Sequence, residues 1–383
     1  MPRLLTLFTL CNLVVGTGAF VIGSMLQLVA ADLGTSVPAA GQSMTAYALS
    51  TALLAPLVLL VTGGWPRKRV LLAAMGAFIV GNSVCALASS LPMLLAGRVL
   101  MGVGAVFTPV AAGIAVASVP PAQRGKALAF VFLGISLSYV VGLPLGSWLG
   151  MQYGWHVPLW AVTGAALVAL AGLAWWVPAD VVSPGASFAG LGDLLGGRTV
   201  RATLGLTLLY FTAIFSVFSY IGPVLQALVP MGGVQMSLTL MLFGLSGVAG
   251  TLVGGWANDR FGAPRTLRVQ LGLLAAMMLL VPLTKGHYLP LVAVVIVWGT
   301  AGFGMMAPQQ SRLAALSPQQ APLLLSLNTS MLYLGTAAGA MVGGAALGAI
   351  GMASLAWAGL PFALLGFAAL QLSLKPSPRL AAA

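Results

Sequence analysis

The chain has 383 residues, 60% of them hydrophobic and only 5% charged, with a formal net charge of +12. Soluble domains carry about 25% charged residues, so this composition excludes a soluble globular protein and points to an integral membrane protein. The basic excess gathers neither in a tail nor on one amphipathic face, which excludes a nucleic-acid surface as its explanation.

Runs of about 20 apolar residues, each able to cross about 30 Å of hydrocarbon, recur throughout. The ten-residue alternating segments of a transmembrane barrel are not seen. The fold class is therefore all-α, with twelve spans over 4–30, 42–62, 70–89, 92–117, 127–150, 157–177, 202–228, 237–257, 267–284, 289–311, 322–350 and 353–374. Charge placement tests the count. With the N-terminus inside, the inner segments and adjoining helix ends collect Arg3, Arg67, Lys68, Arg69, Arg124, Lys126, Arg198, Arg201, Arg260, Arg265, Arg268, Arg312, Lys375 and Arg379, 14 of the 16 basic residues. The outer loops receive Lys285, and Arg98 lies within a span. That bias is what the positive-inside rule demands. It predicts a multi-pass membrane protein with both termini cytoplasmic.

In chain order, the first span places Asn12, Gly16, Ala19, Gly23 and Gln27 on one stripe, two amides separated by small residues. That gap leaves room for a ligand or for a neighbouring helix. Cys11 and Cys85 lie inside apolar runs and read as small buried hydrophobes rather than a disulfide. Tyr47 falls in the second span, and the turn Gly63–Arg69 is basic without an acid. Arg98, in the fourth span, is the charged side chain set well inside hydrocarbon, on a stripe with Gly102, Ala105 and Pro109. Two readings stand for it: a cavity-facing group favouring anionic or hydroxyl-rich substrates, or a structural arginine bonded to neighbouring helices.

The fifth span carries Gly134, Ser138, Gly142, Gly146 and Gly150 at four-residue spacing, with Tyr139 beside them and Pro144 removing a backbone donor and bending the helix. A polar segment, 178–200, containing Asp180, Asp193 and Arg198, separates an N-terminal half, 1–177, from a C-terminal half, 201–383. The halves repeat at an offset of about 198 residues: Pro66-Arg67 answers to Pro264-Arg265, Pro120 to Pro318 and Gly142 to Gly339. The seventh span brings Tyr210 and Tyr220, the tenth Gln309 near its inner end, and the eleventh Asn328, Tyr333 and the glycines 335, 339 and 343. For each of these neutral polar residues, interhelical packing and substrate contact are both open. His156 and His287 fall in outer loops, too far apart and too poor in neighbouring acids or thiols to make a metal site. No cofactor motif and no catalytic signature is present.

The stretch Gly250 to Arg265 ends an apolar run at Gly254-Gly255, makes a polar turn and enters another apolar run. Gly255, Asp259, Arg260, Gly262 and Arg265 fall on the pattern G-x-x-x-D-R-x-G-x-x-R, and the stretch resembles the signature between the eighth and ninth helices of the major facilitator superfamily. Gly142-Leu-Pro144-Leu-Gly146 resembles the fifth-helix motif of that superfamily's drug and sugar exporters. Arg98 with Gly102 resembles its fourth-helix pattern. Val297-Trp298-Gly299 through Pro308, Gln309, Asn328 and Gly335 resembles the arabinose-efflux-permease-like branch of the twelve-span drug:proton antiporters, as does Tyr220 to Leu225.

The resemblance implies a non-enzymatic secondary transporter, a monomer, exporting sugars, drugs or related metabolites by alternating access, with Asp259 latching the inward-closed state. Its partners are then a small-molecule substrate and the lipid bilayer. One departure weighs against proton antiport by the usual route: where proton-coupled members have a first-span acid in a pattern like G-T-x-E-F, this chain has Gly16-Thr17-Gly18-Ala19-Phe20. An uncoupled facilitator is the alternative, and a non-transporting sensor on the same fold a more distant one.

Overall fold

A computed structural model describes residues 2–120, 123–179, 195–317 and 320–374. Asp180 and Asp193 of the linker, Pro318, Lys375 and Arg379 lie outside the described residues. Twelve helices are long and apolar enough to cross a membrane: Arg3–Ser24, Val37–Val61, Arg67–Ala86, Leu91–Ala117, Arg124–Tyr153, His156–Trp176, Arg198–Phe218, Gly233–Phe261, Ala263–Thr284, Tyr288–Leu316, Leu323–Ile350 and Ala356–Leu374. Among the described residues there is no strand. The expected spans match these one for one. Several begin a few residues earlier than expected because a basic residue opens the helix: Arg67, Arg124 and Arg198 stand at helix starts that an apolar-run criterion leaves out. Large apolar side chains such as Val61, Val168, Trp175 and Leu252 point outward, as a surface bathed in hydrocarbon requires.

The helix ends use local chemistry. Ser36 caps the second span, its Oγ accepting from Ala39 N at 3.3 Å, with Pro38 in the first turn. The acid-free turn Gly63–Arg69 places two of its three basic residues on helix C-termini. Arg67 donates to the carbonyls of Thr62 and Gly63, and Lys68 Nζ to Ala174 O at 2.7 Å, on the last turn of the sixth span. Cations at carbonyl ends are favourable there, so this turn keeps its charges without a carboxylate.

The spans are not uniform helices. The first loosens into a 3₁₀ turn at Val21–Ser24 before a short helix Leu26–Asp32. The fourth is interrupted at Ala105-Val106, the seventh at Ser219-Tyr220 before the helix Ile221–Leu228, and the tenth at Met305. The interruption in span one recurs in span seven, and that in span four recurs in span ten, at an offset close to that of the sequence repeat. In the fifth span a π turn, Ser138–Gly142, precedes Pro144. A wider turn ahead of a residue without an N–H is how the chain absorbs the missing donor.

The contacts group the chain into two compact units, Met1–Ala186 with Met231–Gly244, and Ser187–Pro230 with Leu245–Ala383. In the first, the small residues of the fifth span seat the first span. Gly134 meets the Thr9 carbonyl, Ser138 lies against Gly16, Gly142 against Thr17, Gly146 against Val21 and Gly150 against Met25. The first part of the eighth span, up to Gly244, belongs here too: Ser237 Oγ donates to Pro144 O at 2.8 Å, and Gly244 sits on the Tyr139 backbone. In the second unit, Gly335, Gly339 and Gly343 of the eleventh span seat the seventh, against Leu208, Thr212 and Ser216. The small-residue stripes of the fifth and eleventh spans are thus the close-packed seats of the first and seventh spans.

Candidate functional site

Polar groups in low dielectric must find partners, and an interrupted helix releases backbone carbonyls that need donors. The structure places its buried polar side chains where those two needs meet. In the first unit the centre is Arg98, 1% exposed. Its Nη1 donates to Gly18 O at 2.8 Å and Nη2 to Ala19 O at 2.6 Å. The usual i+4 donors of these carbonyls, Ile22 and Gly23, lie in the 3₁₀ turn. Nε donates to Ser43 O at 3.2 Å, and the remaining two N–H groups reach the thioethers of Met101 at 3.8 Å and Met44 at 3.2 Å. The Tyr47 ring lies under the guanidinium, 5.2 Å from its carbon. A guanidinium has five N–H groups, and here all five are taken by uncharged partners.

Near it a second, neutral knot ties the first, fourth and fifth spans. Asn12 is fully buried, its Nδ2 donating to Val131 O at 3.0 Å while its Oδ1 accepts from Thr108 Oγ1 at 2.7 Å. Tyr139, in the π turn, stacks on Phe20 with centroids 5.3 Å apart. Gln27, expected on the Asn12 stripe, is exposed in the short helix beyond the 3₁₀ turn. That turn breaks the helical phase on which the stripe was drawn.

The second unit has no buried cation at the matching place and uses hydroxyls and amides instead. Tyr210 Oη donates to Ala301 O at 2.6 Å. This is the carbonyl whose i+4 donor, Met305, bonds Phe303 O instead at the tenth-span interruption. Tyr220, itself at the seventh-span interruption, donates to Ala340 O at 2.9 Å. Gln309 Nε2 donates to Thr203 O at 2.6 Å and Thr207 Oγ1 at 2.9 Å, and Thr207 Oγ1 donates to Asn328 Oδ1 at 2.6 Å. Gln309 Oε1 is buried and accepts no hydrogen bond among the described residues. Tyr333 is half-buried on the eleventh span.

The structure therefore brings Arg98 and Tyr47 together in one unit, and Asn328 and Gln309 together in the other. The partners that complete these knots were missed in the sequence: Thr108, Thr203, Thr207, Met44 and Met101. Met101 stands three residues after Arg98 on the same helical face, and Thr207 answers to Thr9 at the repeat offset; both signals were present in the sequence.

The polar stretch before the ninth span differs from its sequence reading in one respect. The polar turn expected after Gly254-Gly255 is still helix, which runs on to Phe261. Gly254 packs on the Gly304 backbone, and Gly262, with φ of 79°, makes the turn that starts the ninth span. A left-handed glycine just past a helix end is the standard stop. Asp259 and Arg260 thus stand on the last helical turn. Asp259 is exposed and accepts from Asn258 Nδ2 at 3.2 Å, Arg260 lies over both the Trp256 and Phe261 rings at 5.9 and 5.8 Å, and Arg265 is exposed on the first turn of the ninth span.

The Major Facilitator Superfamily family model matches residues 8–319 and 235–382, which together cover nearly the whole chain. The chain belongs to the Major Facilitator Superfamily. Relatives of this transporter include a chloramphenicol resistance protein of Streptomyces lividans, 32% identical over 350 residues, with 89% of this chain and 88% of the relative covered. The inner membrane transport protein YdhP of Escherichia coli K12 is 29% identical, covering 86% of this chain and 85% of the relative. An MFS-type transporter of Bacillus subtilis, YbcL, is 27% identical, with coverages of 88% and 87%. Among solved structures, a bacterial homologue of the human lysosomal transporter Spinster superposes with a TM-score of 0.77 at 17% identity, covering 96% of this chain and 95% of that one. A D-xylose–proton symporter superposes with 0.74 at 15% identity, with coverages of 95% and 97%. Both superpositions bear on the fold of this superfamily member, a twelve-span membrane transporter.

Proposed function

We propose that this transporter exports small organic molecules, drugs, sugars or related metabolites, by alternating access between two six-span halves. The observation that carries the reading is the pairing of buried polar knots with helix interruptions in both repeats, in spans one and four and again in spans seven and ten. Interrupted helices at matching places in two repeats are where transporters of this design build their sites. Kinship to a chloramphenicol resistance protein supports export over uptake. In this reading Tyr47, Tyr139, Asn12, Tyr210, Tyr220, Asn328 and Tyr333 offer hydroxyls and amides to a neutral or amphipathic ligand. Gln309 Oε1 is an acceptor for a substrate N–H or O–H, and Gln27 stands at the outer rim. Arg98 shapes the first-span interruption rather than ligating substrate, since its N–H groups are already taken. Asp259, with Gly255, Arg260, Gly262 and Arg265, latches the inner side when that side is closed. Gly142, Pro144 and Gly146 keep the fifth span close to the first. The working form is a monomer in the inner membrane, with the basic ends of the helices cytoplasmic.

A second reading, uncoupled facilitation, is favoured by Ala19. At the place where a proton-carrying acid would stand, the backbone carbonyl of Ala19 accepts from Arg98 and the side chain cannot titrate. Flux of labelled chloramphenicol and of a labelled pentose into proteoliposomes, with and without an imposed pH gradient, separates the readings. Gradient-driven accumulation of either compound supports coupled export and overturns the facilitator. Downhill flux indifferent to the gradient supports the facilitator. Absence of flux for both, with measurable binding, overturns transport of these classes.

A further inference from the structure

Resting on the transport reading above, we infer that this transporter discriminates by charge: it carries uncharged or anionic molecules and excludes cations. The argument begins with the acids. The chain has four, Asp32, Asp180, Asp193 and Asp259, and no glutamate. Of these only Asp259 falls within a span, and it stands on the last turn of the eighth. Asp32 follows the first span on the outer side, where its Oδ2 accepts from Trp155 Nε1 at 3.0 Å and lies 3.8 Å from His156 Nε2. Asp180 and Asp193 belong to the linker between the halves. Among the described residues, no span carries a carboxylate away from its end.

Against this stands Arg98, fully buried, with its five N–H groups on three carbonyls and two thioethers. Carbonyl dipoles and sulfur lone pairs satisfy the hydrogen bonds but leave the net charge uncancelled. Arg312, half-buried near the end of the tenth span, donates its Nη2 to Ser373 Oγ at 2.6 Å, and its Nη1 has no acceptor among the described residues. The field around Arg98 inside the first unit is therefore positive, with no carboxylate among the described residues beside it to compensate it. Like charges about 10 Å apart at an effective dielectric constant of about 20 repel enough to lower occupancy roughly tenfold. A cation passing the first-span interruption meets that barrier, a neutral molecule does not, and an anion is attracted. Because Arg98 has no N–H group to spare, it selects through its field and not as a ligand.

The test uses purified full-length protein in proteoliposomes held at zero membrane voltage. Three labelled chloramphenicol analogues are compared, one keeping the aryl nitro group, one with a carboxylate in its place and one with a trimethylammonium group. The neutral and carboxylate analogues are expected to move at rates within about threefold of each other, and the cation at least about tenfold more slowly. Equal rates for the cation and the neutral analogue overturn the charge inference and leave the transport reading standing. Absence of flux for all three overturns the transport reading, and the charge inference falls with it. Ala19→Glu places a carboxylate beside Arg98 and is expected to raise the cation's rate at least about threefold, while Ala19→Gln does not. An Ala19→Glu protein that still moves the neutral analogue and still excludes the cation overturns the assignment of the barrier to Arg98. The wild-type comparison stands whether or not that variant folds.

Discussion

Arg98 is the residue on which the first unit turns. The carbonyls of Gly18 and Ala19 face it because the helix that would have bonded them changes pitch, and Ser43 brings the second span to the same head group. Arg98→Met removes the charge together with its desolvation cost, but leaves those carbonyls without their donor. A loss of about 1–3 kcal/mol is expected. Arg98→Lys keeps the charge buried while offering a compact ammonium that cannot span three carbonyls and two sulfurs, so it is expected to cost more than Arg98→Met. Unfolding in detergent, read by tryptophan fluorescence, checks the order, and a Lys variant as stable as the wild type contradicts it. That an arginine stood inside a span was plain from the sequence, and so were its two alternative roles. What decides between them is which carbonyls are released nearby, a property of backbone pitch that side-chain hydropathy does not encode. The same limit explains Gln27: the stripe joining it to Asn12 assumed unbroken helix through Val21–Ser24.

At the scale of elements, the glycine stripes fix how closely helices approach. An added Cβ at Gly134 meets the Thr9 carbonyl, Asn12 Cβ at 2.8 Å and Leu13 N at 2.9 Å, two of them backbone atoms that cannot swing aside. Gly134→Ala therefore has to push the first and fifth spans apart, at about 1–3 kcal/mol. Gly76, on the third span, has nothing within 4 Å of the same added atom. Gly76→Ala is expected to be neutral or to stabilise by up to about 1 kcal/mol, the helix-propensity gain alone. Equal effects of the two alanines, measured by unfolding in the same detergent, contradict this account of the stripe. The four-residue spacing of Gly134, Ser138, Gly142, Gly146 and Gly150 was legible in the sequence, but its partner was not, because a smooth groove accepts any helix. The interruptions at Ala105-Val106 and Met305 stand one helical turn before Pro109 and Pro308, whose missing N–H leaves the Ala105 and Gly304 carbonyls without their i+4 donors, so the sequence carried their signal. Tertiary hydrogen bonds such as Tyr210 to Ala301 offset part of their cost.

At the scale of the whole molecule, the twelve spans and the repeat were written in the sequence because both rest on long-range patterns, hydrocarbon thickness and charge bias, that average over local error. The repeat reaches further than its sequence markers. Interruptions recur between spans one and seven and between four and ten, and Thr9 and Thr207, equivalent by the offset, each tie one span to another: Thr9 to Phe130 O and Thr207 to Asn328. One asymmetry remains within it: a buried cation serves the first half, hydroxyls and amides the second. In the proposed function this architecture moves solute rather than merely binding it, and counterflow tests that most directly. Proteoliposomes containing the purified protein and preloaded with unlabelled chloramphenicol are diluted into a trace of the labelled compound with no ion gradient. Transient accumulation of label above its equilibrium level is expected, saturable and absent from protein-free vesicles. Saturable binding of the label with no such overshoot would contradict it.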